Sequence, residues 1–199
     1  KIMAKQGKKK LLEQKLNLTI QQALNLAVQN HSAGNLPKAE GIYQQVLQVE
    51  PNQPEALQLL GVIAYQVDNN DLAKEFLTKA IAIKPDFAEA HSNLGNALKA
   101  LGRLEDAVAH YRKAIGIKPD YVDAYYNLGI ALQNQGNADA AAKQLDLALS
   151  YKPEKVGWRI RKALLLPVIP SSLEDIQNRR ETLDKAIKIL LKQERCMYY

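Results

Sequence analysis

Residues 90–102 read Ala90-His91-Ser92-Asn93-Leu94-Gly95-Asn96-Ala97-Leu98-Lys99-Ala100-Leu101-Gly102. Thirty-four residues later the same frame returns as Ala124-Tyr125-Tyr126-Asn127-Leu128-Gly129, closing on Gly136. Working outward at that spacing, prolines fall at 51, 85, 119 and 153, and alanines at 39, 73, 107 and 141. Glycines fall at 61, 95 and 129 with Ala27 in the first place, and leucines at 26, 60, 94 and 128. Ala80, Ala114 and Ala148 form a further small column with Val46 as its first member, and Tyr43, Leu77, Tyr111 and Leu145 form a large one. Six columns coincide over four units. A fixed period of this length means that one supersecondary unit is repeated and stacked.

Each column has a physical reading. Small residues allow two antiparallel helices to approach, so Gly61, Gly95 and Gly129 are expected to face Ala73, Ala107 and Ala141. Leu and Tyr then fill the space between. Gly34, Gly102 and Gly136 follow the first helix of a unit, where a left-handed residue ends it at low cost, and Asp68 takes that place once. The prolines stop the second helix. Thr19 with Gln22 reads as a capping box at the start of the first unit. This is the pattern of the tetratricopeptide (TPR) repeat, in four copies: 20–53, 54–87, 88–121 and 122–155. Residues 1–19 are left as a basic N-terminal segment with a possible short helix, and 156–199 as a degenerate repeat followed by a capping or docking helix. The resemblance implies an all-α fold, a right-handed solenoid of antiparallel helix pairs with a concave groove.

The first helix of each unit is expected to line that groove. Two residues before each small position stand Asn25, Leu59, Asn93 and Asn127. Asn is a poor helix former, by roughly half a kcal/mol against Ala, so its recurrence asks for a reason. A side-chain amide carries donors and an acceptor and can bracket a peptide unit; a row of them suits an extended backbone. The plain alternative is that Asn solvates an exposed surface. Asn96, Lys99, Tyr126, Ile130, Gln133 and Asn134 are further candidates for the same face.

The Asn row, with Ala90 to Lys99 around it, resembles the repeats of O-linked N-acetylglucosamine transferases. In that family an asparagine ladder holds protein substrates by their backbone; Asn25, Asn93 and Asn127 match it, and Leu59 interrupts it. Residues 158–172, Trp158-Arg159-Ile160-Arg161-Lys162-Ala163-Leu164-Leu165-Leu166-Pro167-Val168-Ile169-Pro170-Ser171-Ser172, resemble the junction between repeats and catalytic region in bacterial SPINDLY-type relatives. The resemblance implies a substrate-recruiting arm in the cytoplasm of a bacterium. Ser171 and Glu174 then read as a capping box, and Leu173, Ile176, Leu183, Ile187, Leu190 and Leu191 as an apolar stripe. That stripe either caps the last repeat or docks a further region or subunit. A free-standing TPR scaffold, or a homodimer formed through the convex face or terminal helix, remains open on the same residues.

Charge narrows the partners. The net charge of +6 divides as +5 over residues 1–15 (six Lys against Glu13), −3 over 16–157 (12 basic, 15 acidic) and +4 over 158–199 (nine basic, five acidic). The repeats are thus mildly acidic, which argues against nucleic acid as partner. No apolar run reaches the roughly 18–20 residues of a membrane span. One cysteine, Cys196, permits no internal disulfide and suits a reducing compartment. Met3 reads as the natural initiator, and no signal-peptide pattern precedes it.

No phosphate-cradling loop or nucleophile–base constellation is present. His31, His91 and His110 occupy different places in their units, so no convergent metal site is expected. Neither a cofactor nor a catalytic role is expected for this chain, since nothing alternates strand with helix as a two-lobed transferase region requires.

Overall fold

The computed structural model describes residues 19–165 and 173–196, and among these residues the chain forms helices and no strand. Residues 1–18 of the expected basic segment 1–19, the stretch 166–172 with Ser171 of the second capping box, and Met197–Tyr199 lie outside the described residues. Helix α1 covers residues 19–32. It is followed by α2 (Leu36–Val49), α3 (Pro54–Gln66), α4 (Asn70–Ile83), α5 (Ala88–Ala100), α6 (Leu104–Ile117), α7 (Val122–Asn134), α8 (Ala138–Tyr151), α9 (Val156–Ala163) and α10 (Leu173–Cys196). The chain divides within α5 into two compact units, Lys1–Asn93 and Leu94–Tyr199.

Turn chemistry sets this rhythm. Gly34, Gly102 and Gly136 have φ of 78°, 74° and 79°, and Asp68 has 59°. The N–H of the residue after each reaches back over the last turn: Asn35 to the Asn30 carbonyl, Asn69 to Ala64, Arg103 to Leu98 and Asn137 to Leu132. These are the six-to-one bonds of a helix end closed by a left-handed residue. Asn69 and Asn137 then cap the next helix by accepting from the N–H of Leu72 and Ala140. The second helices stop at Val49, Ile83, Ile117 and Tyr151, two residues before a proline.

In the first unit α2 packs on α3 and α3 on α4. Their core is Ile20, Leu24, Ala27, Ala39, Tyr43, Val46, Ala56, Leu60 and Ile63. In the second unit α6 packs on α7, α7 on α8, α8 on α9 and α9 on α10. Helices α9 and α10 therefore continue the pairing as a degenerate fifth hairpin.

The small positions also make room for the large column. An ideal Cβ on Gly61 would lie 2.6 Å from Leu77 Cγ, one on Gly95 2.6 Å from Tyr111 Cε1, and one on Gly129 3.0 Å from Leu145 Cγ. The atoms nearest each glycine belong to the large column, one turn beyond the alanines, and at Gly129 the Ala141 carbonyl follows at 3.3 Å. The absent side chain makes a socket for a large residue. Two departures from expectation follow from position. Leu26 is 48% exposed while Leu60, Leu94 and Leu128 are buried, because no described element covers that face of α1. On α10, Leu173, Ile176 and Ile187 are exposed, so those members of the expected stripe are not sealed against the preceding hairpin.

Candidate functional site

The candidate residues sit on the first helix of each hairpin, and the structure separates them by what their side chains already do. In the first unit, Asn25 is exposed on α1, its side-chain oxygen accepting a 3.1 Å bond from Gln21 Nε2. Leu59, which interrupts the row, packs against the core of that unit. Asn93 is half-buried near the middle of α5. Its amide makes no hydrogen bond to another described residue. By contrast its neighbour His91 is buried and meets the Pro85 carbonyl at 3.0 Å. Tyr125, thirty-four residues on, gives its hydroxyl to the Pro119 carbonyl at 3.1 Å. This column holds the loop before the helix.

In the second unit Asn127 is half-buried on α7 and likewise makes no hydrogen bond to another described residue. Asn96 differs: its Oδ1 accepts the Tyr111 hydroxyl at 2.7 Å, inside the hairpin. Tyr126 is half-buried and stacks on Trp158 of α9, centroids 4.4 Å apart and planes 14° from parallel. Ile130 is half-buried, one turn beyond Tyr126 on α7, and Asn134 is exposed. Gln133 is half-buried, and its Oε1 is buried with no hydrogen-bond partner among the described residues. A buried acceptor left unmet costs about 1–3 kcal/mol, so it is poised for a donor.

Lys99 is half-buried in the last turn of α5. Burial, and then the positive charge of Arg161 on α9, push its amine below the usual lysine range. In the second unit the stack of Tyr126 on Trp158 thus ties α7 to α9, and the helices of that unit also carry Asn127, Gln133, Lys99 and Arg161. Among the described residues no group of His, Cys, Asp or Glu is placed to hold a metal ion. No described helix is long and apolar enough to cross a membrane.

The sequence reading missed Trp158 and Arg161. The signal was available: 127 plus 34 is 161, so Arg161 stands at the Asn127 register of the degenerate hairpin. It also missed a second asparagine column, 35, 69 and 137, which sits at the N-caps of the second helices.

Comparison with known proteins places the chain. Family models described as TPR repeat match residues 95–136, and models described as tetratricopeptide repeat match 31–94, 64–110 and 122–155. Together they span 31–155. Among solved structures, MamA protein is similar at 26% identity with a TM-score of 0.68, covering 91% of this chain and 95% of that one. An O-GlcNAc transferase from Thermobaculum terrenum is similar at 30% identity with a TM-score of 0.64; the match covers 79% of this chain and 29% of the transferase. YrrB, described as a TPR protein with an unusual peptide-binding site, shares the fold at 22% identity and a TM-score of 0.67. No curated protein matches the chain significantly in sequence. Repeats 34 residues long, helix ends closed by left-handed residues, glycine sockets filled by a large side chain and these matches together identify the chain as a member of the tetratricopeptide-repeat family, a module for protein–protein interaction.

Proposed function

We propose that this chain binds an extended polypeptide along the polar faces of its first helices, and that it serves as the substrate-recruiting arm of an O-linked glycosyltransferase. The observation that carries the binding reading is the state of Asn93 and Asn127. Both amides are half-buried, yet neither makes a hydrogen bond to another described residue, whereas Asn96 is engaged by Tyr111. An amide kept in a helix at a cost in propensity and left open suits a peptide backbone, to which it offers donor and acceptor together. Gln133 Oε1 supplies a further acceptor. The likeness to the Thermobaculum terrenum transferase supports the arm reading.

Fluorescence anisotropy with labelled, unstructured Ser/Thr-rich peptides tests the binding reading. Asn93→Ala/Asn127→Ala should weaken binding by roughly tenfold or more, as expected for losing two peptide-bracketing amides worth about 1 kcal/mol each. Unchanged affinity would sink it. The arm reading is tested separately, by sequencing the gene beyond the codon for Lys192: several hundred residues of alternating strand and helix are the expected result. A stop codon instead favours a free-standing scaffold, the reading supported by the MamA match, which covers nearly all of both chains.

A further inference from the structure

Helix α10 is longer than its hairpin partner can cover. It runs for 24 residues, whereas α9, on which it packs, runs for 8. At a rise of about 1.5 Å per residue these are rods of about 36 and 12 Å, so α9 flanks about a third of it. Leu173, Ile176, Arg180, Leu183 and Ile187 recur along α10 at alternating steps of three and four. That is the spacing of a seam between two helices wound on each other. The seam is open to solvent. Leu173 is 75% exposed, Ile176 48% and Ile187 41%, while Arg180 is exposed and Leu183 half-buried. Single apolar residues scattered over a surface are ordinary; a row of them in register is not.

Charge along the helix indicates what covers it. Residues 173–184 carry four acidic and two basic side chains, a net −2, and residues 185–196 carry one acidic and four basic, a net +3. Acid early and base late also suits the dipole of the helix itself, but that effect fades within the first and last turn. Glu181, Asp184, Lys185 and Lys188 lie near the middle of α10, beyond its reach. Such a helix is complementary to an inverted copy of itself, acidic half against basic half. A parallel copy would set like halves together and bring Arg180 against Arg180. With a two-fold axis level with the peptide between Glu181 and Thr182, Ile176 meets Ile187 of the second copy. Arg180 then meets Leu183 of the second copy, with Asp184 of that copy beside it. Two-fold symmetry makes each contact twice, the self-complementary arrangement of a closed dimer.

We infer that α10 is a dimerisation helix. It pairs antiparallel with α10 of a second copy of this chain through Leu173, Ile176, Leu183 and Ile187, and Arg180 and Asp184 of opposite copies fix the register. Each dimer then carries two sets of repeats, so a polypeptide with two binding segments is held more tightly than by one copy. The inference stands apart from the polypeptide-binding reading above, since it concerns another helix and another readout.

Sedimentation equilibrium on the full chain tests it. The wild type should be a concentration-dependent dimer. Ile176→Glu/Ile187→Glu, at two exposed positions, should raise the dissociation constant by about a hundredfold or more, because charges enter an apolar seam, and should leave the circular-dichroism melt in place. Arg180→Asp and Asp184→Arg should each weaken the dimer by about tenfold when alone, through like charges across the seam. Mixed together, the two variants should recover it as a heterodimer, because each supplies the charge that the other now needs. Cys196, the last residue of α10, reports direction. In the inverted pair the two cysteines lie about 40 Å apart along the seam, so mild oxidation should give no disulfide-linked dimer. A wild-type chain that stays monomeric leaves the seam to another occupant and overturns the inference. A dimer untouched by Ile176→Glu/Ile187→Glu, a mixture of the two charge variants that stays monomeric, or ready linkage through Cys196 overturns it as well.

Discussion

The ring of Tyr111 occupies the space that a side chain on Gly95 would need, with Cε1 2.6 Å from where its Cβ would lie. The same relation joins Gly61 to Leu77 and, more loosely, Gly129 to Leu145. Close approach of two helices is therefore a hole on one helix and a large residue on the other.

Gly95→Leu should overpack this socket, because Tyr111 is fully buried and has nowhere to retreat. The expected loss is about 1–3 kcal/mol or more, seen as a clear fall in thermal or urea midpoint. A wild-type midpoint would refute the socket. Gly129→Ala should be milder, since the nearest atom there is 3.0 Å away rather than 2.6 Å.

Tyr43 and Tyr111 occupy one column but different polar surroundings. The Tyr111 hydroxyl bonds Asn96, whereas the Tyr43 hydroxyl is buried without a partner among the described residues and its pKa is raised by burial. In the first repeat the position matching Asn96 is Val28, which has no acceptor. Tyr111→Phe should destabilise by about 1 kcal/mol, while Tyr43→Phe should be neutral or stabilising. The pH response gives an independent readout. A phenol whose folded pKa lies above the unfolded value of 10.0 favours unfolding as pH rises past 10.0, because only the unfolded chain readily ionises. Tyr43→Phe should therefore gain on the wild type above that pH in equilibrium denaturation.

Val28→Asn should supply the missing acceptor to Tyr43. Val28 is partly exposed, so the amide need not be desolvated, and the two residues have similar helix propensity. A gain of about 1 kcal/mol in chemical denaturation is expected, and it should vanish in the Tyr43→Phe background.

Asp68 adopts φ of 59° where the other repeats use glycine. Asp68→Gly should stabilise by about 1 kcal/mol, and Gly102→Ala, at φ of 74°, should destabilise by a similar amount. Differential scanning calorimetry on both variants checks the pair of signs.

Lys99→Met should raise the melting temperature at neutral pH. The folded pKa of Lys99 lies below the unfolded value of 10.5, so the protonated amine costs stability at low and neutral pH. That cost fades as pH climbs through the folded pKa and is gone above 10.5, where both states are neutral. The advantage of Lys99→Met should shrink over the same window.

The sequence by itself determined the repeat, its length and its helix ends. A period of 34 is a property of spacing, and Gly34, Gly102 and Gly136 act locally through φ, as the prolines act through φ and a missing N–H. It also indicated which helices carry the candidate polar face. What lies across a helix pair was decided only by the tertiary structure. That the ring of Tyr111 is what lies nearest Gly95 depends on how the two helices cross, which periodicity does not encode. That Asn96 is used inside the hairpin while Asn93 and Asn127 stay open depends on the reach of one buried hydroxyl. That Trp158 stacks on Tyr126 depends on α9 packing as a fifth first helix although its sequence has lost the motif. Local backbone conformation follows from the residues that adopt it; the partners of a side chain follow from packing among segments far apart in sequence.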